Sequence, residues 1–425
     1  MTDSNINIVN ATIITIGDEL LIGQVIDTNS AFLAQELNKI GITVIKRLAV
    51  GDDFNSIWQA LDDAQKNSKV VIITGGLGPT ADDITKPLLC QYFGGEMVLD
   101  IPTLKNVEYL FEQVFKKKGP LLERNKKQAE VPNVCTVLKN EVGTAPGMLF
   151  KKNETLFFAL PGVPHEMKWL AKNHVIPMLC EQFVGTTIIH KTLLTLGLGE
   201  SAIAEMLIDF EKQLPSTIKL AYLPNYGMVR LRLTAIGNDK LKVETEIEQQ
   251  FNQLQSLVKH IMITNKDETL EEIVANLLIQ KNKTVATAES CTGGYIAHLL
   301  TKKSGASNYY EGSVVSYSYG VKENILNVSN EILNQKGAVS EETVLQMANH
   351  ARKILNTDYA IAVSGIMGPN GGTQDKPVGT AWLAVSSIEQ TKTKKIQVRF
   401  DREKNIQLTA IAALNMLREL IVDNP

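Results

Sequence analysis

Cysteine is scarce in this sequence of 425 residues, and the few cysteines present lie far apart. They are Cys90, Cys135, Cys180 and Cys291, and no two of them show Cys-x-x-Cys spacing. We therefore expect neither a structural zinc site nor a disulfide framework. No apolar run reaches about 18 residues, so a membrane span is not expected either. The N-terminal segment lacks the basic head and apolar run of a secretory signal, and we expect a cytoplasmic protein with free thiols.

The net charge is also small: the chain has 43 Lys and Arg residues and 46 Asp and Glu residues, which gives −3. A chain this close to neutral is not a general polyanion binder. The lysine clusters at 116–118 and 392–395 lack interleaved aromatic residues, so nucleic-acid binding is not expected. Hydrophobic residues make up 44% of the chain, which argues against disorder. The length predicts two or three domains.

Short apolar runs alternate with amphipathic helical segments near both ends of the chain. The runs at 11–16 and 70–74, and later those at 284–288 and 359–363, are typical of buried strands. Strands that alternate with helices predict parallel sheets covered on both faces. Between these regions, residues 228–236 alternate with period two, as in a small α+β unit. We predict an α/β protein with two three-layer α/β domains and mostly parallel sheets, joined by a small α+β domain. The predicted bounds are 1–182, 183–265 and 266–425.

Three polar patches follow predicted strands of the first domain, at 17–30, 74–85 and 161–167. In an open parallel sheet, ligands bind outside the carboxyl ends of the strands, so we expect the patches to meet. Glycines in the second patch let backbone amides approach a phosphate, and the following helix N-terminus favours an anion. Carboxylates supply hard oxygen ligands for Mg²⁺ or a similar cation. The candidate ligands are Asp18, Glu19, Asp82, Asp83 and Glu166. The alternative is that each Asp caps a helix and that Gly-Gly forms a turn.

The segments GDELLIG…DTNS, TGGLGPTADDIT and PGVPHEM resemble the molybdopterin-binding domain family, and more specifically the N-terminal domain of the CinA (competence/damage-inducible) family. The resemblance implies metal-dependent hydrolysis of ADP-ribose to AMP and ribose 5-phosphate. It also places the acidic residue of the Gly-Gly-x-Gly pattern on Asp83. The expected cofactor is a divalent cation, Mg, Mn or Co. The assigned substrate contacts in this domain are Asn29, Gly75, Gly76, Gly78 and Thr80.

In the last domain, the predicted strand at 284–288 leads into the turn Glu-Ser-Cys-Thr-Gly-Gly and then into a helix. A serine or cysteine on such a turn is well placed as a nucleophile, with neighbouring backbone N–H groups as an oxyanion hole. Both Ser290 and Cys291 are candidates. No histidine lies in a comparable motif, and a lysine is the known alternative base. A predicted strand at 310–319 ends just before Lys322, whose pKa burial would lower. Tyr317 is a candidate to orient or shuttle the proton; alternatively, Lys322 is a surface residue and Tyr317 a packing residue.

A third patch, at 363–380, is too rich in glycine to be a plain turn. Such a loop can wrap a phosphate with backbone amides, and two arginines after it are candidates for a phosphate clamp. The alternative is that these arginines are surface charges. The assigned substrate contacts in this domain are Thr292, Gly293, Gly294, Gly371, Gly372, Thr373, Arg399 and Arg402.

The motifs AESCTGG, Tyr317…Lys322 and SGIMGPNGGTQDKPVGT resemble the C-terminal domain of the CinA family. That domain is a nicotinamide-nucleotide amidase, which converts nicotinamide mononucleotide to nicotinate mononucleotide and ammonia without a cofactor. The resemblance implies that Ser290 is the nucleophile and that Lys322 and Tyr317 are its catalytic partners. Two departures are Tyr319, where the family usually has Asn, and the shortened motif Phe400-Asp401-Arg402. The segments TLGLGES, IKLAYLPNYG and VRLRLTAIG resemble the KH-type linker domain.

We therefore expect a bifunctional hydrolase of pyridine-nucleotide salvage that acts on nicotinamide mononucleotide and ADP-ribose. A homodimer with no membrane partner is expected. One alternative is a non-catalytic adaptor for competence or recombination that binds nucleic acid through the KH-like domain. The sequence disfavours it, because no Gly-x-x-Gly loop flanked by basic residues is visible and the stretch at 196–200 ends acidic. A molybdopterin-binding protein is the other alternative.

Overall fold

The computed structural model describes residues 8–423 except 81–82, 115, 117–120, 184–186 and 226. The chain divides into two compact units. The first comprises Met1–His190, Pro215–Lys219 and Thr234–Gln250, and the second comprises Lys191–Leu214, Leu220–Leu233 and Phe251–Pro425. Among the helices that the structure describes, none combines the length and apolar character needed to cross a membrane.

The first unit is organised around a mixed sheet. Its strands are β1 (Val9–Ile16), β2 (Ile42–Val50), β3 (Val70–Thr74), β4 (Met97–Leu99), β5 (Glu130–Pro132), β6 (Thr136–Leu138), β7 (Gly147–Lys152) and β8 (Thr155–Leu160). Six of them form one sheet in the order β2-β1-β3-β8-β7-β6, while β4 pairs with β5. Strands β2, β1, β3 and β8 are parallel, as predicted. β7 and β6 are antiparallel additions, and β7 was not predicted from the sequence.

Helices cover both faces of this sheet. They are α1 (Asp18–Leu21), α2 (Thr28–Lys39), α3 (Phe54–Asn67), α4 (Thr85–Tyr92), α5 (Ile101–Tyr109), α6 (Glu123–Lys126), α7 (Pro164–Leu170) and α8 (Ile176–Gln182), with π-helical turns at Leu110–Val114 and Ala171–Val175 and a 3₁₀ turn at Lys127–Ala129. Alternate residues of β1 enter different cores, Ile14 on the α3 side and Ile13 on the α2 and α7 side. The three-layer prediction is therefore confirmed for this unit.

The middle of the chain is α+β in character. It contains β9 (Thr187–Leu196), α9 (Glu200–Gln213), β10 (Ile218–Asn225), β11 (Met228–Gly237), α10 (Lys240–Leu257) and β12 (Met262–Thr264). The strands form a sheet in the order β10-β11-β9-β12. Along β11, Leu231, Leu233 and Ala235 are buried, which confirms the alternation with period two.

The C-terminal part of the chain, which lies in the second unit, is again α/β. Its elements are α11 (Leu270–Gln280), β13 (Val285–Glu289), α12 (Tyr295–Thr301), β14 (Tyr310–Val315), α13 (Tyr319–Asn324), α14 (Asn330–Gln335), α15 (Glu341–Ile354), β15 (Tyr359–Gly365), β16 (Thr380–Ser386), β17 (Thr391–Gln397) and α16 (Arg402–Asp423). The sheet order is β14-β13-β15-β16-β17. β13 is parallel to both β14 and β15. β16 is antiparallel to β15, and β17 is antiparallel to β16. Because β14, β13 and β15 are parallel, their carboxyl ends meet at one edge.

One predicted strand is shorter than expected. The apolar and aromatic run at 310–319 predicted a strand to Tyr319, but β14 ends at Val315 and α13 begins at Tyr319. Ser318 is the reason, because its hydroxyl accepts a hydrogen bond from the Val321 N–H at 3.3 Å and caps the helix. Lys322 consequently lies on a helix that starts beside the strand end.

Candidate active site

A buried carboxylate builds the turn that carries the predicted nucleophile. Glu289, the last residue of β13, is completely buried and accepts hydrogen bonds from three backbone N–H groups, those of Gly294, Ile296 and Ala297, at 3.1, 3.0 and 2.8 Å. These N–H groups lie at the start of α12, where a helix leaves its donors unpaired and a negative charge is favoured. Glu289 therefore fixes the direction in which the chain leaves β13 at Ser290.

The residues after Ser290 shape this turn. The Thr292 hydroxyl donates to Glu289 at 2.7 Å. Gly293 and Gly294 have φ of +59° and +96°, a region that glycine enters without the strain a side chain would cause. Sequence reasoning assigned all three as substrate contacts. The structure places them in the turn, outside the set of residues that line the adjoining cavity.

Side-chain alternation separates Ser290 from Cys291. Ala286 and Ala288 of β13 face the core on the α15 side, and Ser290 continues that face. Cys291 also lines the cavity, but it packs in the opposite core, in the cluster that contains Ile361 and Val363. Burial raises the pKa of the Cys291 thiol to about 12, so it is protonated at neutral pH. Between the two candidates, only Ser290 combines access to a base with a usable nucleophile.

Lys322 is that base candidate, and it is completely buried. Its Nζ lies 2.9 Å from Ser290 Oγ. It also donates to the backbone carbonyl oxygens of Ser316 and, at 3.4 Å, Tyr317. Burial lowers the Lys322 pKa to about 8, because a charged amine is poorly solvated there. The prediction that Lys322 reaches the strand-end surface near Ser290 is met by this geometry.

A cavity of about 260 Å³ opens beside Ser290 and Lys322. Its wall includes Tyr317, Arg402 and the glycine-rich loop after β15. Tyr317 is 64% exposed, and its hydroxyl accepts a hydrogen bond from Arg402 Nη2 at 3.3 Å rather than bonding to Ser290. Arg402 Nη1 also donates to the Gly368 carbonyl oxygen at 2.8 Å. Arg402 thus ties the glycine-rich loop to the tyrosine at the rim.

The other predicted contacts of this loop have different positions. Gly371 lines the cavity, whereas Gly372 and Thr373 do not. The Thr373 hydroxyl accepts from the Lys376 N–H at 3.1 Å and so belongs to the loop's own turn. Arg399 is exposed and also lies outside the cavity lining. Of the two predicted arginines, only Arg402 is at the site.

At the N-terminal site, the structure brings together three strand ends. The Asn29 side-chain amide donates to the Gly162 carbonyl oxygen at 2.8 Å and to the Thr74 hydroxyl at 3.3 Å. A Cβ on Gly75 would lie 2.2 Å from the Ile16 carbonyl oxygen, so only glycine fits between β1 and β3. The predicted meeting of the three patches is observed at these residues.

Asp83, one of the predicted metal ligands, holds the glycine-rich loop. Asp83 accepts from the backbone N–H of Gly78 and of Thr80, each at 2.9 Å, and from the Thr80 hydroxyl. Gly76 has φ of +63°, and a Cβ there would lie 2.1 Å from Thr85 Oγ1. Asp83, Thr80, Gly76 and Gly78 are therefore parts of one compact loop before α4.

The predicted metal ligands lie in separate local networks. Asp18 accepts from the Asp52 N–H at 3.1 Å, and Glu166 accepts from the Asn140 side chain at 2.6 Å. Burial raises the pKa of Glu166. Glu19 is exposed in α1, and Asp82 lies outside the described residues. Across the part of the chain that the structure describes, no three His, Cys, Asp or Glu residues form a group able to hold a metal. These described carboxylates, on their own, do not fit a divalent cation.

Two residues of the second unit were missed as site residues. Glu289 stood in the recognised motif but was given no role; its position between a buried strand and a helix start was the available signal. Ser364 lines the cavity beside Ser290. Ser364 is the first residue of the recognised motif SGIMGPNGGTQDKPVGT, but its place beside Ser290 depends on the register of β13 and β15, which a sequence without pairing information does not contain.

The fold and the site together define an α/β protein with a buried serine–lysine pair at the carboxyl ends of parallel strands. Three family models match the chain: "Probable molybdopterin binding domain" at 12–181, "Damage-inducible protein CinA KH domain" at 190–262, and "CinA C-terminal domain" at 267–421.

Similar proteins match this chain along nearly their whole length. A CinA-like protein of Flavobacterium psychrophilum is 46% identical over 415 residues, covering 97% of this chain and 99% of that protein. A CinA-like protein of Cytophaga hutchinsonii is 47% identical over 409 residues, covering 96% and 97%. A CinA superfamily crystal structure from Klebsiella pneumoniae is 33% identical, with a TM-score of 0.36, and covers 37% of this chain and 99% of that one. The chain belongs to the CinA family.

Proposed function

We propose that the second unit is an amidase that converts nicotinamide mononucleotide to nicotinate mononucleotide and ammonia. The observation that supports this most directly is the 2.9 Å separation between Lys322 Nζ and Ser290 Oγ at a cavity. A buried amine next to a serine hydroxyl is the arrangement of a serine nucleophile with a lysine base. The substrate itself is proposed from the family resemblance.

The hydrogen bonds of Lys322 fit the role of general base toward Ser290. A neutral amine has two N–H groups and one lone pair. If the N–H groups donate to the Ser316 and Tyr317 carbonyl oxygens, the lone pair is directed at the Ser290 hydroxyl. After proton transfer, the same carbonyl oxygens stabilise the ammonium group.

The proposed reaction has two halves. Ser290 Oγ attacks the carboxamide carbon while Lys322 takes its proton, and Lys322 then protonates the departing nitrogen so that ammonia leaves. Water hydrolyses the resulting ester by the same proton route in reverse. Arg402 and the amides of the glycine-rich loop lie at the cavity wall, where they suit the phosphate of the nucleotide.

A second proposed function is hydrolysis of ADP-ribose to AMP and ribose 5-phosphate at the N-terminal site. It is favoured by the convergence of Asn29, Gly75 and Gly162 at three strand ends. Backbone amides of the loop at 75–80 would hold phosphate oxygens. A divalent cation is part of this proposal, although the described carboxylates are not gathered around one.

The deciding experiment measures ammonia release from nicotinamide mononucleotide by the full chain and by Ser290→Ala and Cys291→Ala. We expect Ser290→Ala to be inactive and Cys291→Ala to keep most activity, because the thiol is buried and protonated. An active Ser290→Ala variant with an inactive Cys291→Ala variant would show that the nucleophile assignment is wrong. An inactive full chain with salt-dependent binding to single-stranded nucleic acid would instead favour the adaptor.

A further inference from the structure

A lysine joins the outer part of the glycine-rich loop to another wall of the cavity. The loop runs from 366 to 379, between β15 and β16, and residues between 366 and 371 line the cavity. Its outer part, 369–375, is exposed. Lys376 follows this part, and its Nζ donates to the Lys336 carbonyl oxygen at 2.6 Å. Among the described residues, no other side chain of 369–376 bonds outside the loop, so the position of the outer part depends on Lys376.

The group that accepts this hydrogen bond is itself fixed. Lys336 caps the end of α14, where a helix leaves carbonyl groups without N–H partners and with partial negative charge, so an ammonium group is a favoured partner. The carbonyl oxygen of the next residue, Gly337, accepts from the Thr343 hydroxyl at 2.9 Å. The Ala338 N–H donates to the Tyr319 hydroxyl at 3.2 Å. The segment 336–338 is therefore a firm anchor for Lys376.

The anchor continues directly into the cavity wall. Ala338 and Val339 line the cavity, as does the inner part of the glycine-rich loop. The bond from Lys376 to Lys336 consequently joins two segments that both shape the cavity, although Lys376 lies outside the lining. Lys376 thus acts on the cavity through the loop.

The reacting groups are held independently of this bond. Ser290 directly follows Glu289, which is fixed by three backbone N–H groups at the start of α12. Lys322 is held by the carbonyl oxygens of Ser316 and Tyr317. Loss of the Lys376 bond should therefore loosen the loop and leave the serine–lysine pair in place.

We infer that Lys376 is a positioning residue that holds the glycine-rich loop in the conformation that binds the phosphate end of the nucleotide; this rests on the proposed amidase function. The phosphate is remote from the carboxamide that reacts. Contacts with such a remote group are equally strong in the bound substrate and in the transition state, so weakening them raises KM and leaves kcat unchanged.

The test is the steady-state deamidation of nicotinamide mononucleotide by Lys376→Met. We expect KM to rise about tenfold, a size typical for loss of one hydrogen bond from a charged group, with kcat within about twofold of wild type. Lys376→Arg keeps the charge and the N–H donors, so it should restore most of the wild-type KM. A wild-type KM in Lys376→Met would overturn the inference and leave the amidase proposal intact.

Lys336→Met is the matched control. It removes a positive charge from the same region but keeps the backbone carbonyl that accepts the bond from Lys376. The Lys336 side chain itself pairs with Glu342, at 3.5 Å. We expect a wild-type KM for this variant. A rise in KM equal to that of Lys376→Met would show that the lysines act by general attraction of the phosphate, which would overturn the positioning role.

Hydrogen–deuterium exchange without nucleotide separates positioning from direct contact. The Thr373 N–H bonds the Lys376 carbonyl oxygen at 2.9 Å, and the Lys376 N–H bonds the Thr373 hydroxyl at 3.1 Å. Amides of the peptide 366–379 should exchange faster in Lys376→Met than in wild type. Wild-type exchange, with a raised KM, would show that Lys376 contacts the nucleotide and would overturn the inference. A folded wild-type chain that releases no ammonia would overturn the amidase proposal and this inference together.

Discussion

The lowered pKa of Lys322 makes a quantitative prediction about pH. In the proposed mechanism, only the neutral amine activates Ser290, and burial lowers the Lys322 pKa from 10.5 to about 8. We therefore expect kcat/KM for deamidation to rise tenfold per pH unit below this value and to level off above it. At pH 7 it should be about one tenth of the plateau, and at pH 6 about one hundredth.

Substitutions of the lysine should remove this profile. Lys322→Met has a similar length and no proton to exchange, and Lys322→Arg is always charged. Both should lower the rate by roughly 10²–10⁴-fold, the range for loss of general acid–base catalysis. Lys86→Met is the control, because Lys86 is also buried and its pKa is also lowered to about 8, but it bonds carbonyl oxygens at 127, 128 and 130 in the first unit. It should keep the wild-type profile.

The same pKa predicts how stability changes with pH. Between about pH 8 and 10.5, the folded chain holds fewer protons at Lys322 than the unfolded chain. The free energy of unfolding therefore rises with pH across this window, by up to about 3 kcal/mol from this residue. The cost of burial is fully present below pH 8. Urea denaturation of wild type and Lys322→Met at pH 7.5 and 10 measures how much Lys322 contributes to the change in the free energy of unfolding with pH.

Two results would refute the assignment of Lys322 as the base: a rate of deamidation that does not change from pH 6 to 9, or a Lys322→Met variant that keeps nearly all its activity.

Three further predictions concern the surroundings of the two sites. Glu289→Gln should lower the free energy of unfolding by about 1–3 kcal/mol in urea denaturation, because its NH₂ group would face backbone donors; an unchanged midpoint would contradict the role of Glu289 in the turn. Asp83→Asn should lower ADP-ribose hydrolysis at saturating metal, because its amide would face the N–H of Gly78 or Thr80; a wild-type rate would argue against the loop role. EDTA should leave ammonia release unchanged, since in the proposed mechanism Ser290 and Lys322 supply the nucleophile and the base, and a loss restored by added metal would show that this assignment is incomplete.

Several parts of the fold and site could be read from the chain alone. Apolar runs such as 70–74 and 284–288 predicted strands that the structure contains, because burial on both faces demands continuous hydrophobic residues. Glycines at 75 and 293 marked backbone positions that exclude a side chain, either through close approach or through positive φ. The serine after Glu289 was identified as a nucleophile candidate for the same local reason, a sharp turn between a strand and a helix.

Other features of the fold and the site could not be predicted from the sequence. The residues at 316–319 have aromatic and small polar side chains that suit a strand, but the Ser318 cap begins a helix there. β7 adds an antiparallel strand between β8 and β6, and the alternation of strands and helices in the sequence does not predict it. The five predicted carboxylates follow the right strands, yet Asp18, Asp83 and Glu166 each accept hydrogen bonds from separate backbone or side-chain donors. The spacing of these residues in the sequence did not indicate which hydrogen-bond donors would lie next to each carboxylate.

The sequence by itself determined most of the buried strands and the helices between them, and which turns carry serine, glycine and acidic residues, because these depend on local periodicity and backbone freedom. Only the tertiary structure decided how they act together. The pairing of β13 with β14 brings Lys322 within 2.9 Å of Ser290, 32 positions earlier in the chain. The pairing of β13 with β15 places Ser364 on the opposite side. Alternation across the sheet then directs Ser290 toward the base and Cys291 into the core. Strand register and burial are long-range properties, so the pKa values and the geometry of the site depend on the folded sheet.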